Sequence, residues 1–185
     1  MQLSELLYEK KVSLLEKWID CALAVYHKDA SSFLKKQKNQ FANPLGYTAS
    51  NSLTKIFDVL CKDCPVNEAS KALEDFVKIR AVQELSPAQA LSFVYDLKKI
   101  MKDEGLATDS TKILQELLIF NSRIDELAMM AFDLYMESRE RLYRVRLDEF
   151  KRGTHILTDG AVCPSALIRQ NMQQIKDIKP INSSK

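Results

Sequence analysis

The stretch STKILQELLIFNSRIDELAMMAFDLYMESRERLYRVRLDEFKR, residues 110–152, contains neither glycine nor proline. Apolar residues recur in it at Ile113, Leu117, Phe120, Ile124, Leu127, Ala131 and Leu134, in alternating steps of four and three. That spacing draws one apolar line along a single helix and is the seam of a left-handed helix pair. At 1.5 Å per residue such a helix spans about 60 Å, longer than a compact domain of this size is wide, so one end is expected to project. Its second half, ESRERLYRVRLDEFKR, is dense in charge, and Glu137 precedes Arg141 by four residues, the favourable order for a surface pair. The charged half reads either as a solvated helix end or as a contact surface for a second copy or another protein, with Arg141 and Tyr143 among its contacts.

Outward from this helix, the breakers mark boundaries. Pro44, Gly46, Pro65, Pro87, Gly105, Gly153, Gly160, Pro164 and Pro180 all stand where a helical pattern begins or ends. The reading is an all-α chain, a single bundle of about six helices over 3–26, 30–41, 46–62, 66–84, 87–103 and 110–152. No segment alternates for long enough to make a strand. The first helix carries Leu7, Leu14, Leu15, Trp18, Ile19, Ala22 and Tyr26 as a buried stripe, with charge opposite. Residues 1–152 form the helical domain. Residues 153–185 form a tail with a short helix predicted over 165–178, where Leu167, Ile168, Met172 and Ile175 share a side.

A chain of 185 residues that is 46% hydrophobic can bury one sizeable core. Twenty-seven basic residues against 25 acidic leave a net charge of +2, too weak a field to gather nucleic acid or anionic lipid. No apolar run approaches the roughly 20 residues of a membrane helix, and charges interrupt the leucines of MQLSELLYEKKVSLLEKW. No membrane insertion and a cytoplasmic location are expected.

Cys61 and Cys64 form a C-x-x-C, yet the pair closes a helix before Pro65 instead of opening one, where a helix N-terminus would acidify a thiol. A structural zinc site needs four ligands, and Cys21, Cys163, His27 and His155 are scattered. Ordinary thiols in a reducing compartment are the main reading, with Cys61 and Cys64 kept as redox candidates. Neither histidine is presented from mid-helix as a haem ligand would be. Glycine-rich phosphate loops, G-x-S-x-G and H-E-x-x-H do not occur, so no enzyme, cofactor or metal is expected.

In KIRAVQELSPAQALSFVYDLKK, residues 78–99, Ser86, Pro87 and Gln89 make a capping box that starts a helix at Pro87. Arg80 lies on an otherwise apolar run, at the edge of a stripe with Phe76 and Val77. A buried guanidinium must be paired, and Asp133 and Glu137, one turn apart on the long helix, are the expected partners where the two helices cross near Gln83. Such a contact is either a registry device or the lining of a pocket through which a ligand shifts the long helix.

FLKKQKNQFANPLGYT (33–48), the 78–99 block and NSRIDELAMMAFDLYMESRERLYRVRLDEFKR (121–152) occur in this order, and together they resemble the N-terminal domain of RsbRD-type co-antagonists, regulators of the RsbT kinase. The likeness covers roughly residues 3–152. It implies a non-enzymatic input module, globin-like without haem, that pairs as a homodimer and passes a signal to a C-terminal STAS domain in stressosome-like stress-response assemblies. After Arg152 only 33 residues remain, too few and too polar for a STAS domain, which predicts the stand-alone form. Stand-alone forms resemble proteins encoded beside membrane complexes of dissimilatory sulfite reduction. That likeness implies the alternative, a redox or electron-transfer accessory in sulfur metabolism with a membrane redox complex as neighbour.

Overall fold

A computed structural model of the chain describes residues 2–26, 41–62, 64–83, 85–106 and 111–151. These divide between two compact units, Met1–Arg141 and Leu142–Lys185, the second described only over residues 142–151. Among the described residues every regular element is helical, and the all-α expectation holds. The predicted helix over 30–41 falls almost wholly, and the tail helix over 165–178 wholly, outside the described residues.

The first periodic run is one helix with a fault. It forms α1 (Leu3–Glu9) and α2 (Lys11–Leu23), parted at Lys10, where φ is −92° and ψ 5°. Hydrogen bonds nevertheless run through the fault, Lys10 N–H to the Leu6 carbonyl and Leu14 N–H to the Lys10 carbonyl, both 3.0 Å. Next comes α3 (Pro44–Cys61), which starts two residues earlier than its periodicity alone suggests. Asn43 accepts from the Gly46 N–H at 2.8 Å, and Pro44 sits at the first helical position, where its missing N–H costs nothing.

After Pro65 the chain makes one 3-10 turn, Val66–Ala69, and continues as α4 (Ser70–Ala81). The capping box predicted at Ser86 is present. Gln89 N–H donates to Ser86 Oγ at 3.3 Å and Ser86 N–H to Gln89 Oε1 at 3.0 Å, starting α5 (Pro87–Asp103). This helix ends at Gly105, whose φ of 65° is the left-handed conformation that closes helices and favours glycine. The long helix α6 runs Thr111–Lys151.

Helix α2 packs on α3 and α5, and α4 on the same two, so four helices close a ring. Trp18, Phe57, Phe76, Phe93 and Leu97 fill it without contact with water. Phe76 and Phe93 meet edge to face at 5.0 Å, and the Trp18 indole N–H donates to the Phe93 carbonyl at 2.6 Å. Helix α6 adds Ile113, Phe120, Ile124, Leu127 and Ala131, each buried, to the same core. Burying a Leu, Ile or Phe stabilises by about 1.5–3 kcal/mol, against at most about 1 kcal/mol for an exposed pair such as Lys98–Asp125 at 2.7 Å. Apolar packing therefore holds α6 in place. The seam read in the sequence is thus spent on the chain's own core, not on a second copy.

Candidate functional site

Arg80 is 1% exposed, and its guanidinium binds backbone. Nε donates to the Ala90 carbonyl at 2.8 Å, Nη1 to Ala22 at 2.7 Å and Nη2 to Gln89 at 2.7 Å. Three rings surround the cation, Phe76, Phe93 and Tyr26, with centroids 5.3, 5.5 and 5.9 Å from its central carbon. Ring faces carry negative potential and offset part of the cost of burial. Burial still pulls the guanidinium pKa down, opposed by Tyr26 and Asp96. The Tyr26 hydroxyl donates to Gln83 Oε1 at 2.5 Å, and burial raises its own pKa.

The expected pairing of Arg80 with Asp133 or Glu137 is not made. Arg80 has no carboxylate partner among the described residues; Asp133 is exposed, and Glu137 pairs with Arg141 at 2.6 Å on the helix surface. The reason is geometric. Carbonyls from the last turn of α2 and the first turn of α5 lie within the reach of the fork, so no charge needs to be brought to it. The crossing of α4 with α6 is bridged from the other side, where Arg139 Nη1 donates to the Ala81 carbonyl at 3.0 Å. Tyr143, in the second unit, is about half exposed.

Cys61 and Cys64 are free thiols, both partly buried, and Cys21 is exposed. Burial, and next to it the Asp58 carboxylate, pushes the Cys61 thiol up to about 12. Thiolate is the species that exchanges disulfides, so Cys61 is unsuited to that chemistry at neutral pH. Cys64 Sγ faces the Val59 carbonyl at 3.6 Å. Among the described residues no cluster of His, Cys, Asp and Glu could hold a metal ion, and no helix is long and apolar enough to cross a membrane.

Two features went unread in the sequence. One is a cleft of about 350 Å³ between α1, the end of α3 and the first third of α6. Helix α6 lines it with Glu116, Ile119, Phe120 and Arg123, a 0, 3, 4, 7 pattern that places all four on one face. Glu116 accepts from the Leu3 N–H at 2.6 Å and so seats the start of α1. Arg123 closes the end of α3, with Nη1 on the Lys62 carbonyl (2.6 Å) and Nη2 on those of Val59 (2.9 Å) and Cys64 (2.6 Å). Its Nε–H is buried and has no partner among the described residues. The spacing was legible; the depth of the cleft was not.

The other is a line of exposed apolar side chains on α6. Leu114, Leu118, Met129, Phe132 and Met136 are 44, 67, 64, 45 and 40% exposed. Their steps of 4, 11, 3 and 4 residues are close to whole helical turns, so they share one edge of the helix, beside its buried face. Described by itself, the second unit shows a shorter set, Tyr143, Leu147 and Phe150, also exposed and at steps of four and three.

A family model described as the RsbT co-antagonist protein rsbRD N-terminal domain matches residues 13–149. Among curated proteins and solved structures, none matches the chain.

Proposed function

The chain belongs to the family of RsbT co-antagonist rsbRD N-terminal domains, and from that premise we propose that it is a non-enzymatic regulatory input domain that works by protein–protein contact. The contact face is the exposed apolar line of α6 from Leu114 to Met136, and its first partner is a second copy of the chain. The line falls into two groups, Leu114 with Leu118 and Met129 with Phe132 and Met136, on either side of the exposed Asp125, and exposed apolar groups of this kind mark interaction surfaces. That line is the observation that carries the reading. Pairing along α6 couples the two copies, so a signal that moves one helix is passed to the other and on to a downstream partner.

Sedimentation equilibrium of the whole chain at tens of micromolar tests it. The expected result is a dimer that dissociates when Phe132→Glu and Met136→Glu are combined, with helicity and melting temperature retained because both positions are exposed. A monomeric wild type would remove the homodimer. A variant as dimeric as the wild type would move the interface off this face.

A further inference from the structure

Three of the six methionines fall within eight residues of α6, in MMAFDLYM, 129–136. They do not share an environment. Met130 packs against the core, while Met129 and Met136 are 64 and 40% exposed, seven residues apart on the edge of the helix that also carries the exposed Phe132. Steps of three and four place Phe132 between the two thioethers, at the spacing where side chains of a helix meet. Leucine would match either methionine in volume and in helix propensity. What methionine adds is a sulfur that takes up oxygen, and at these exposures a dissolved oxidant reaches it. Met101, 3% exposed inside the bundle, offers the contrast.

We propose that Met129 and Met136 form a reversible oxidation site, and that their sulfoxides keep two copies of the chain apart. The proposal rests on the pairing along α6 described above and assigns its regulation. The oxidant is a peroxide. The sulfur lone pair attacks one peroxide oxygen and the O–O bond breaks. Hydroxide leaves with the electron pair of that bond and becomes water by taking the proton that the transferred oxygen gives up. Sulfur is thus oxidised by two electrons and the peroxide reduced by two. The product carries a polar S=O in place of an apolar thioether. On the single chain that oxygen is solvated, but across an apolar contact it must give up its water with no donor in return. Oxidation therefore favours the separate chains. In the pair both sulfurs are covered, so the oxidant acts on the dissociated chain and the response grows as the protein is diluted.

The test treats the full chain with hydrogen peroxide and then with dithiothreitol, which reverses cysteine disulfides and leaves methionine sulfoxide in place. Peptide mass spectrometry is expected to find one added oxygen on Met129 and on Met136 at least about tenfold sooner than on Met101. Sedimentation equilibrium should then show the Kd of the dimer raised by at least about tenfold, the effect of making four apolar side chains of the interface polar. Methionine sulfoxide reductases A and B together should reverse the change, one enzyme for each sulfoxide epimer. In Met129→Leu with Met136→Leu the ratio of Kd after and before peroxide should stay within about twofold, because leucine keeps the volume and has no sulfur. Met129→Gln with Met136→Gln, which places a polar oxygen at both positions, should weaken the dimer without any oxidant while helicity is retained. A dimer whose Kd does not move with both sulfoxides present, a leucine variant that responds as the wild type does, or oxidation of Met101 as fast as that of Met129 and Met136 would each overturn this proposal and leave the pairing standing. A chain already monomeric before peroxide would remove both.

Discussion

Arg80 Nη1 lies 2.7 Å from the carbonyl oxygen of Ala22, a residue 58 positions earlier, and thereby closes the last turn of α2 from within α4. The final carbonyls of a helix have no partners of their own, and the negative end of the helix dipole gathers there. Elsewhere in the domain the same need is met in the same way. Arg123 of α6 closes α3, Arg139 of α6 closes α4, and Lys10 donates to the Glu104 carbonyl beyond α5 at 2.9 Å. Basic side chains from neighbouring helices thus do what, among the described residues, a terminal glycine does only after α5. Each closure also fixes the register of two helices.

Arg80→Met should accordingly cost about 3–5 kcal/mol, because three carbonyls lose charge-assisted bonds together, partly offset by removal of a desolvated cation. Arg80→Lys should recover less than half of the loss, since an ammonium cannot reproduce the planar fork. Asp133→Asn and Glu137→Gln should each change stability by less than about 0.5 kcal/mol and show no coupling to Arg80. Urea denaturation of the single and double variants, followed through the one buried tryptophan, Trp18, measures all three statements. Coupling above about 1 kcal/mol between Arg80 and either carboxylate would contradict the geometry.

Two charged contacts of α6, that of Arg123 and that of Asp125 with Lys98 of α5, should behave differently. Lys98 and Asp125 form a surface pair of the kind worth at most about 1 kcal/mol, while Arg123 makes three charge-assisted bonds from a partly buried position. Arg123→Ala should lower stability by about 2–3 kcal/mol and Lys98→Ala by about 0.5 kcal/mol or less. Raising salt to 1 M should change the Lys98 difference and leave that of Arg123 nearly intact, because screening reaches exposed charges first.

These contrasts explain what could be read from the amino acids. The start of α5 was legible because Ser86, Pro87 and Gln89 interact across three residues, and a local pattern needs no knowledge of the fold. The buried face of α6 was legible because a helix writes its period into the sequence. What faces it was not, so a seam of Ile113, Phe120, Ile124 and Leu127 looked equally suited to a second copy and to the chain's own core. The destination of Arg80 left no mark at all. Its acceptors are backbone carbonyls, present at every residue, and only the folded chain brings those of Ala22, Gln89 and Ala90 together. Asp133 and Glu137 attracted attention only because carboxylates are visible in a sequence.

Ser86→Ala tests the local kind of closure against the long-range kind. It removes the acceptor for the Gln89 N–H at the exposed start of α5, where water can replace it. The cost should be about 1 kcal/mol, well below that of Arg80→Met. Ser86→Asp should retain stability, since an aspartate caps as well as a serine and adds a favourable charge at the positive helix end. Thermal melts of the two variants beside the wild type decide it, and an unchanged melt for Ser86→Ala would show that the cap contributes nothing.

Cys61 gives the domain a predictable response to alkaline pH. Burial and the Asp58 carboxylate hold its thiol up to about 12 in the folded chain, above the ordinary thiol value of 9.0. Between these values the unfolded chain has released the proton and the folded chain still holds it, so the unfolded state binds fewer protons and stability falls as pH rises. The contribution is complete below about pH 9 and is lost progressively towards about 12, with a slope of at most about 1.4 kcal/mol per pH unit. Tyr26, also raised by burial, titrates in an overlapping range. The measurement is therefore the difference between wild type and Cys61→Ala, taken from urea denaturation at pH 7, 9 and 10. Relative to pH 7, that difference should shift in favour of the variant by about 0.4 kcal/mol at pH 9 and about 1.4 kcal/mol at pH 10. The same protonated thiol should react with iodoacetamide at pH 8 at least about tenfold more slowly than the exposed Cys21. A Cys61 that is alkylated as fast as Cys21, together with a flat difference at pH 10, would mean that the thiol ionises as freely as one in water.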